Sequence, residues 1–112
     1  MNRRDGAILA KILNYCTETK AAHSFFCDDK DLFMDEIKGA IYRNAVAMPI
    51  LQIGELAKNL SEEYRSEYKQ VPWKEMIRMR DLFAHHYGAL DYEQLWDTSH
   101  GDIDELHERL TT

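Results

Sequence analysis

Apolar residues recur at helical spacing along most of this chain, and nowhere do apolar and polar residues alternate for long enough to make a convincing strand. Ile8, Leu9, Ile12, Leu13 and Cys16 mark a first amphipathic helix from about Arg3 to Ala22. Asp28 or Asp31 then offers an N-cap for a long second helix, with Phe33, Ile37, Ile41, Met48 and Leu56 on its core side. Pro49 falls inside that pattern and should kink or break it, because proline has no N–H for the carbonyl of Ala45. Ser61, followed by Glu62 and Glu63, starts a short third helix, since a hydroxyl and first-turn acids both satisfy a helix N-terminus. Pro72 opens a fourth that runs to Gly88, a natural stop. Asp91 with Gln94 forms a capping-box pattern for a fifth around Leu95 and Trp96, and Ser99 can cap a sixth ending near Leu110. The pattern predicts an all-α fold, an antiparallel four-helix-bundle core with short additional helices, as a single domain over residues 1–112.

Composition adds three limits. A chain of 112 residues with 45% apolar content can bury one core but not two. Cys16 and Cys27 lack the density of a disulfide scaffold and the spacing of a zinc motif, so both read as reduced, packed thiols. The longest apolar run, Ala45 to Leu51, is seven residues and contains Pro49, far short of a membrane span or a signal sequence; a soluble, cytoplasmic protein with no membrane partner is expected. Acids outnumber bases twenty to fourteen, but unevenly. From Asp91 onward there are seven acids and one base, whereas Lys69 to His86 carries four bases and two acids, so net charge is a poor guide to what that stretch binds.

The positive stretch holds the chemistry. On a helix, Trp73, Ile77, Arg80, Ala84 and Tyr87 fall within about 80° of one another, which places an arginine among apolar residues. A guanidinium cannot shed its charge, so one facing a core needs an acid or a wet cleft. On the second helix Asn44, Gln52 and Glu55 share the arc of Ile37, Ile41, Met48 and Leu56; either that stripe is a wet edge, or Glu55 pairs with Arg80. Five residues beyond the arginine come His85 and His86, able to move protons near neutral pH. Five helical steps turn His85 about 140° away from Arg80, to the side of Lys74 and Arg78. Either the helix loosens before Gly88, or one site combines Arg and His from two copies of the chain, which favours a two-fold homodimer with a cleft along its interface.

Arg80, four residues, His85, one residue, Tyr87 resembles the R-x4-6-H motif, with its H-x-Y extension, of the HEPN superfamily. Ile53-Gly54-Glu55, Pro72-Trp73, Leu95-Trp96 and Asp102-Ile103 occur in the order of its HepT-like branch, so the resemblance covers roughly residues 40 to 110. It implies a HEPN-like four-helix core, homodimerisation, and a metal-independent endoribonuclease needing no cofactor. It also implies the toxin role in a type VII-like toxin–antitoxin pair, whose antitoxin, a minimal nucleotidyltransferase (MntA-like), silences the toxin by AMPylation of a tyrosine near the motif. By position, Arg80 and His85 match the catalytic pair and Tyr87 the modified tyrosine. Some relatives carry a tyrosine two residues after the motif arginine, where this chain has Leu82.

The chemistry is physically sound on its own terms. A histidine near its ordinary pKa can take the proton of a ribose 2′-hydroxyl, and a fixed guanidinium stabilises the charge that builds on the phosphorus oxygens. Taken alone, His85 is explained as a capping histidine near a helix C-terminus; with Arg80 and Tyr87 in register it reads as the base, and His86 as its neighbour. Lys74 and Arg78 are a solvated face or a track for the RNA backbone, with Glu55 and Asn44 as supporting groups. Among His85, His86, His100, His107, Asp102 and Asp104 no pair has the spacing of a metal motif, so no metal is expected there. The competing reading is a catalytically inactive helical module that partners a nucleotidyltransferase, its acidic C-terminal segment facing a basic partner.

Overall fold

The computed structural model describes residues 2–68, 71–85 and 91–111, with side chains described up to residue 82 in the second of these segments. Among the described residues the fold is all-α: α1 (Arg3–Phe25), α2 (Lys30–Met34), α3 (Ala40–Ala57), α4 (Glu62–Glu67), α5 (Trp73–His85), α6 (Tyr92–Asp97) and α7 (Ile103–Thr111). α1 packs on α3, α3 on α5, and α7 on α1. Ile12, Phe33, Tyr42, Ile50, Ile53, Met76, Leu95, Ile103 and Leu106 form one contiguous, almost solvent-free core. No helix among the described residues is long and apolar enough to cross a membrane.

Local signals set most helix starts. Asn2 Oδ1 accepts the Asp5 amide at 2.7 Å, Ser61 Oγ the Tyr64 amide at 3.1 Å, and Asp91 Oδ1 those of Glu93 and Gln94 at 3.0 and 3.2 Å. Asp5 is itself buried and reaches α4's cap: its carboxylate accepts from the Ser61 amide at 2.9 Å and hydroxyl at 2.5 Å. α1 runs past Ala22 to Phe25 and stops where Cys27 and Asp28 take left-handed backbone angles, φ 57° and 53°. Cys27 is exposed rather than packed; Cys16 is buried, and burial pushes its thiol up to about 12.

The long second helix is in fact two. Asp29, not Asp28 or Asp31, caps α2. At the break, Asp35 Oδ1 takes the amides of Ile37 and Lys38, which a continuing helix would have given to carbonyls. The guanidinium of buried Arg43 reaches back across the break and donates to the carbonyls of Phe33, Asp35 and Glu36 at 2.6, 2.6 and 2.9 Å, with its Cζ 3.9 Å from the Tyr92 ring centre. Gly39 belongs to the same device, because a Cβ there would meet Arg43 Nη1 and the Asp35 carbonyl, each at 2.6 Å. Pro49 neither breaks nor ends α3, which is continuous from Ala40 to Ala57.

α3 also turns the opposite face inward. Tyr42, Val46, Ile50, Ile53 and Ala57 form its core stripe, whereas Ile37, Ile41 and Met48 are 87, 75 and 59% exposed. On a helical wheel the two arcs lie about 160° apart, and both are apolar enough to be read as core. The polar residues Asn44, Gln52 and Glu55 therefore line an outer edge. At the other end of the chain no cap interrupts at Ser99. Residues 98–102 form a π-helical turn between α6 and α7, and Ser99 is buried, donating to the Trp96 carbonyl at 2.9 Å.

Candidate functional site

α3 and α5 meet at Gly54. A Cβ there would press on Arg80 Cβ and lie 2.7 Å from the Met76 carbonyl, so glycine lets the two backbones approach closely and sets Arg80 directly against α3. α5 buries Trp73, Met76 and Met79; Ile77 is only partly buried, and Arg80 sits at the stripe's edge rather than in its middle, its side chain 23% exposed.

Glu55, the residue after Gly54, brings Oε2 to 2.7 Å from Arg80 Nε, although the N–H is not aligned on that oxygen. Asp81 Oδ1 accepts from Arg80 Nη1 at 3.0 Å and from Lys58 Nζ at 2.9 Å. Lys58 and Arg80 hold the Asp81 carboxyl below its usual range. The result is a chain of alternating charge, Lys58–Asp81–Arg80–Glu55, that fixes the guanidinium while leaving part of it in water. In this chain of described residues two cations face two anions. A fixed, partly exposed guanidinium can receive the oxygens of a phosphate, and both carboxylates are about half exposed and so displaceable.

The expected site residues are thus only partly gathered. Glu55 meets Arg80. Asn44 shares Glu55's outer face but lies three turns away, about 16 Å along the axis. Lys74 and Arg78 are exposed on the far side of α5 from Arg80, where Arg78 Nη1 comes 4.0 Å from Glu75. His85 is the last residue of α5, and its side chain, with all of His86 and Tyr87, lies outside the described residues. Sequence reasoning missed Asp81 and Lys58; the signal was there, since Lys58 stands one turn after Gly54 and Asp81 adjoins the motif arginine. Among the described residues, the His, Cys, Asp and Glu side chains that gather closely enough to hold a metal are His23, Asp28 and His100, of which only His100 was among the residues weighed as metal ligands in the sequence.

The chain is also similar in sequence to known proteins. A "Probable ribonuclease HepT" of Thermococcus cleftensis is 31% identical over 91% of this chain and 83% of its own length. A "Putative RNase" of Caldanaerobacter subterraneus is 33% identical over 71% of this chain and 80% of its own, and one of Methanocaldococcus jannaschii is 44% identical over 60% of this chain. The match spans 56% of that last relative's length. No solved structure matches the chain. The family described as "Ribonuclease HepT-like" matches residues 12–112, which include Gly54, Glu55 and the whole Arg80 motif, and the chain belongs to that family.

Proposed function

We propose that this chain is a metal-independent endoribonuclease, the toxin of a type VII-like toxin–antitoxin pair, acting as a homodimer. The observation that carries the reading is Arg80, held part-exposed by Glu55 and Asp81 on a helix whose last residue is the motif histidine. His85 takes the proton from a ribose 2′-hydroxyl; the oxygen attacks the adjacent phosphorus; Arg80 stabilises the charge on the phosphoryl oxygens; and the 5′-oxygen leaves, giving a 2′,3′-cyclic phosphate.

A homodimer is supported by the outer face of α3. Ile41 and Met48 are large, exposed and apolar, and their face continues through Gln52 to Glu55 beside Arg80. Pairing two such faces would bring two Arg80 motifs to one cleft and supply the histidine that a straight helix turns away from its own arginine. Lys74 and Arg78 would track the RNA backbone, His86 would flank the base, and a minimal nucleotidyltransferase would silence the site by AMPylation, with Tyr87 the acceptor.

One observation favours the second reading, an inactive module that partners a nucleotidyltransferase: two carboxylates already occupy the guanidinium. Cleavage of a generic RNA in EDTA separates them. We expect cutting by the unmodified protein and a loss of about 100-fold or more in Arg80→Ala and His85→Ala. No cutting by protein shown by mass spectrometry to carry no AMP would establish the module instead.

A further inference from the structure

The end of α1 and the π-helical turn enclose a second constellation, remote from Arg80. His23 Nδ1 lies 3.6 Å and His100 Nε2 2.6 Å from Asp28 Oδ1, the three ligand atoms lie within 4.8 Å of one another, and the imidazole centroids are 3.9 Å apart. A solvent-accessible recess of about 410 Å³ opens on them, lined also by Lys20 and Cys27.

The hydrogen bonds fix the tautomers. Ser99 gives its proton to the Trp96 carbonyl, so it accepts from His23 Nε2–H at 2.7 Å, and His23 Nδ1 keeps a lone pair that takes the Tyr42 hydroxyl at 2.5 Å. Burial, and His100 beside it, push the His23 pKa down to about 4, which keeps the ring neutral at pH 7. His100 Nδ1 faces the Trp96 carbonyl at 2.9 Å and must carry a hydrogen there. Its Nε2 lone pair would then point straight at the Asp28 carboxylate, acceptor against acceptor. A positive charge belongs between them, either a proton or a metal ion.

We propose that His23 Nδ1, Asp28 Oδ1 and His100 Nε2 form a binding site for a late first-row divalent cation, zinc above all, with water in the remaining position; the ion takes over the one lone pair of His23 Nδ1, so the Tyr42 hydroxyl that holds it in the empty site must turn away. Two imidazoles and one carboxylate suit zinc, whereas magnesium and calcium want mostly oxygen ligands. Each histidine already donates its other ring N–H to a fixed acceptor, Ser99 Oγ or the Trp96 carbonyl, the second-layer arrangement that orients metal-binding histidines. The left-handed angles at Cys27 and Asp28 bring the carboxylate back over the end of α1, and the π turn supplies His100. Occupied, the site ties residues 77 positions apart in sequence into one joint, His23 to His100. Tyr42 stands 12 residues before Gly54 on α3, about 18 Å along the axis, so the ion would brace the fold without entering the chemistry at Arg80.

The test is calorimetric titration of zinc chloride into the full chain, stripped with EDTA and desalted, with magnesium chloride as comparator and thermal unfolding alongside. We expect one zinc per chain, a raised unfolding midpoint, and no response to magnesium. Asp28→Asn, at an exposed position, and His100→Gln, at a half-buried one, are expected to fold and should each weaken zinc binding by at least about 100-fold and abolish the rise in midpoint. A chain that binds no zinc overturns the proposal, as does zinc bound equally well by both variants. Cleavage of RNA in EDTA should be the same in the wild type and both variants, so this site and the Arg80 reading stand or fall separately.

Discussion

Two arginines of this protein lie against its core, and they are held in different ways. Arg43, 3% exposed, has no carboxylate on it among the described residues: its partners are the carbonyls of Phe33, Asp35 and Glu36 at the end of α2, where the helix dipole also favours a cation, and the face of Tyr92. Arg80 is held by the carboxylates of Glu55 and Asp81, each about half in water. Carbonyls fixed in the backbone cannot leave, so Arg43 is a permanent fastening of the break between α2 and α3. A side-chain carboxylate can swing into solvent when a phosphate arrives. The holder, more than the arginine, separates a structural cation from one available for chemistry.

The largest effect should come from breaking the permanent arrangement. Arg43→Leu removes the side-chain donor from three carbonyls, of which that of Phe33 is buried and that of Asp35 keeps the Gly39 amide, and should cost about 3 kcal/mol in denaturant unfolding. Arg80→Ala should cost no more than about 1 kcal/mol in the same measurement, because its pairs are part-exposed. Equal losses in the two variants would erase the distinction drawn above.

Next comes the contact that carries Arg80. Gly54→Ala forces a methyl group into Arg80 Cβ and the Met76 carbonyl and should destabilise by about 2 kcal/mol. Gly6→Ala, where a Cβ meets nothing within 4 Å, should stabilise by about 0.5 kcal/mol. A neutral Gly54→Ala would show that α5 is free to shift on α3.

The smallest effect sharpens the comparison with an anion. Asp5 is buried like Arg43 and held by dipoles, the hydroxyl and amide of Ser61, which lower its pKa below the ordinary 3.8. Its folded-state pKa being the lower one, its contribution is fully present above about 3.8 and is lost as pH falls through the folded value. Unfolding midpoints measured between pH 5 and 2 should therefore fall less steeply in Asp5→Asn than in the wild type. Identical slopes would show that the Ser61 contacts do not hold the charge.

What could be read from the sequence was mostly local. Ser61 and Asp91 announce their helices because a cap acts within three residues. The expected pairing of Glu55 with Arg80 rested on two misplaced charges needing each other, and the structure brings them together. The division of the second helix was hidden because Arg43 reaches back to carbonyls seven to ten residues earlier, a bond without periodicity. The inward face of α3 was misjudged because Ile41 and Met48 match the core stripe in size and spacing; what distinguishes the arcs is the company of Asn44, Gln52 and Glu55, for which a wet edge was one of the two readings the sequence left open. His23 carried no signal in the sequence, because the first helix was expected to end at Ala22 and the partners of His23, Tyr42 and Ser99, lie on other elements.

The close approach at Gly54 bears finally on accuracy of placement. A long side chain hung on a loosely packed helix inherits every small slide of that helix. Arg80 instead rides on a backbone stopped against another backbone, so its Cα has a hard reference point and only the terminal bonds remain to be aimed. If two copies share one substrate phosphate, a symmetric pair would repeat any error twice, and a fixed stop beneath each arginine keeps that doubled error small.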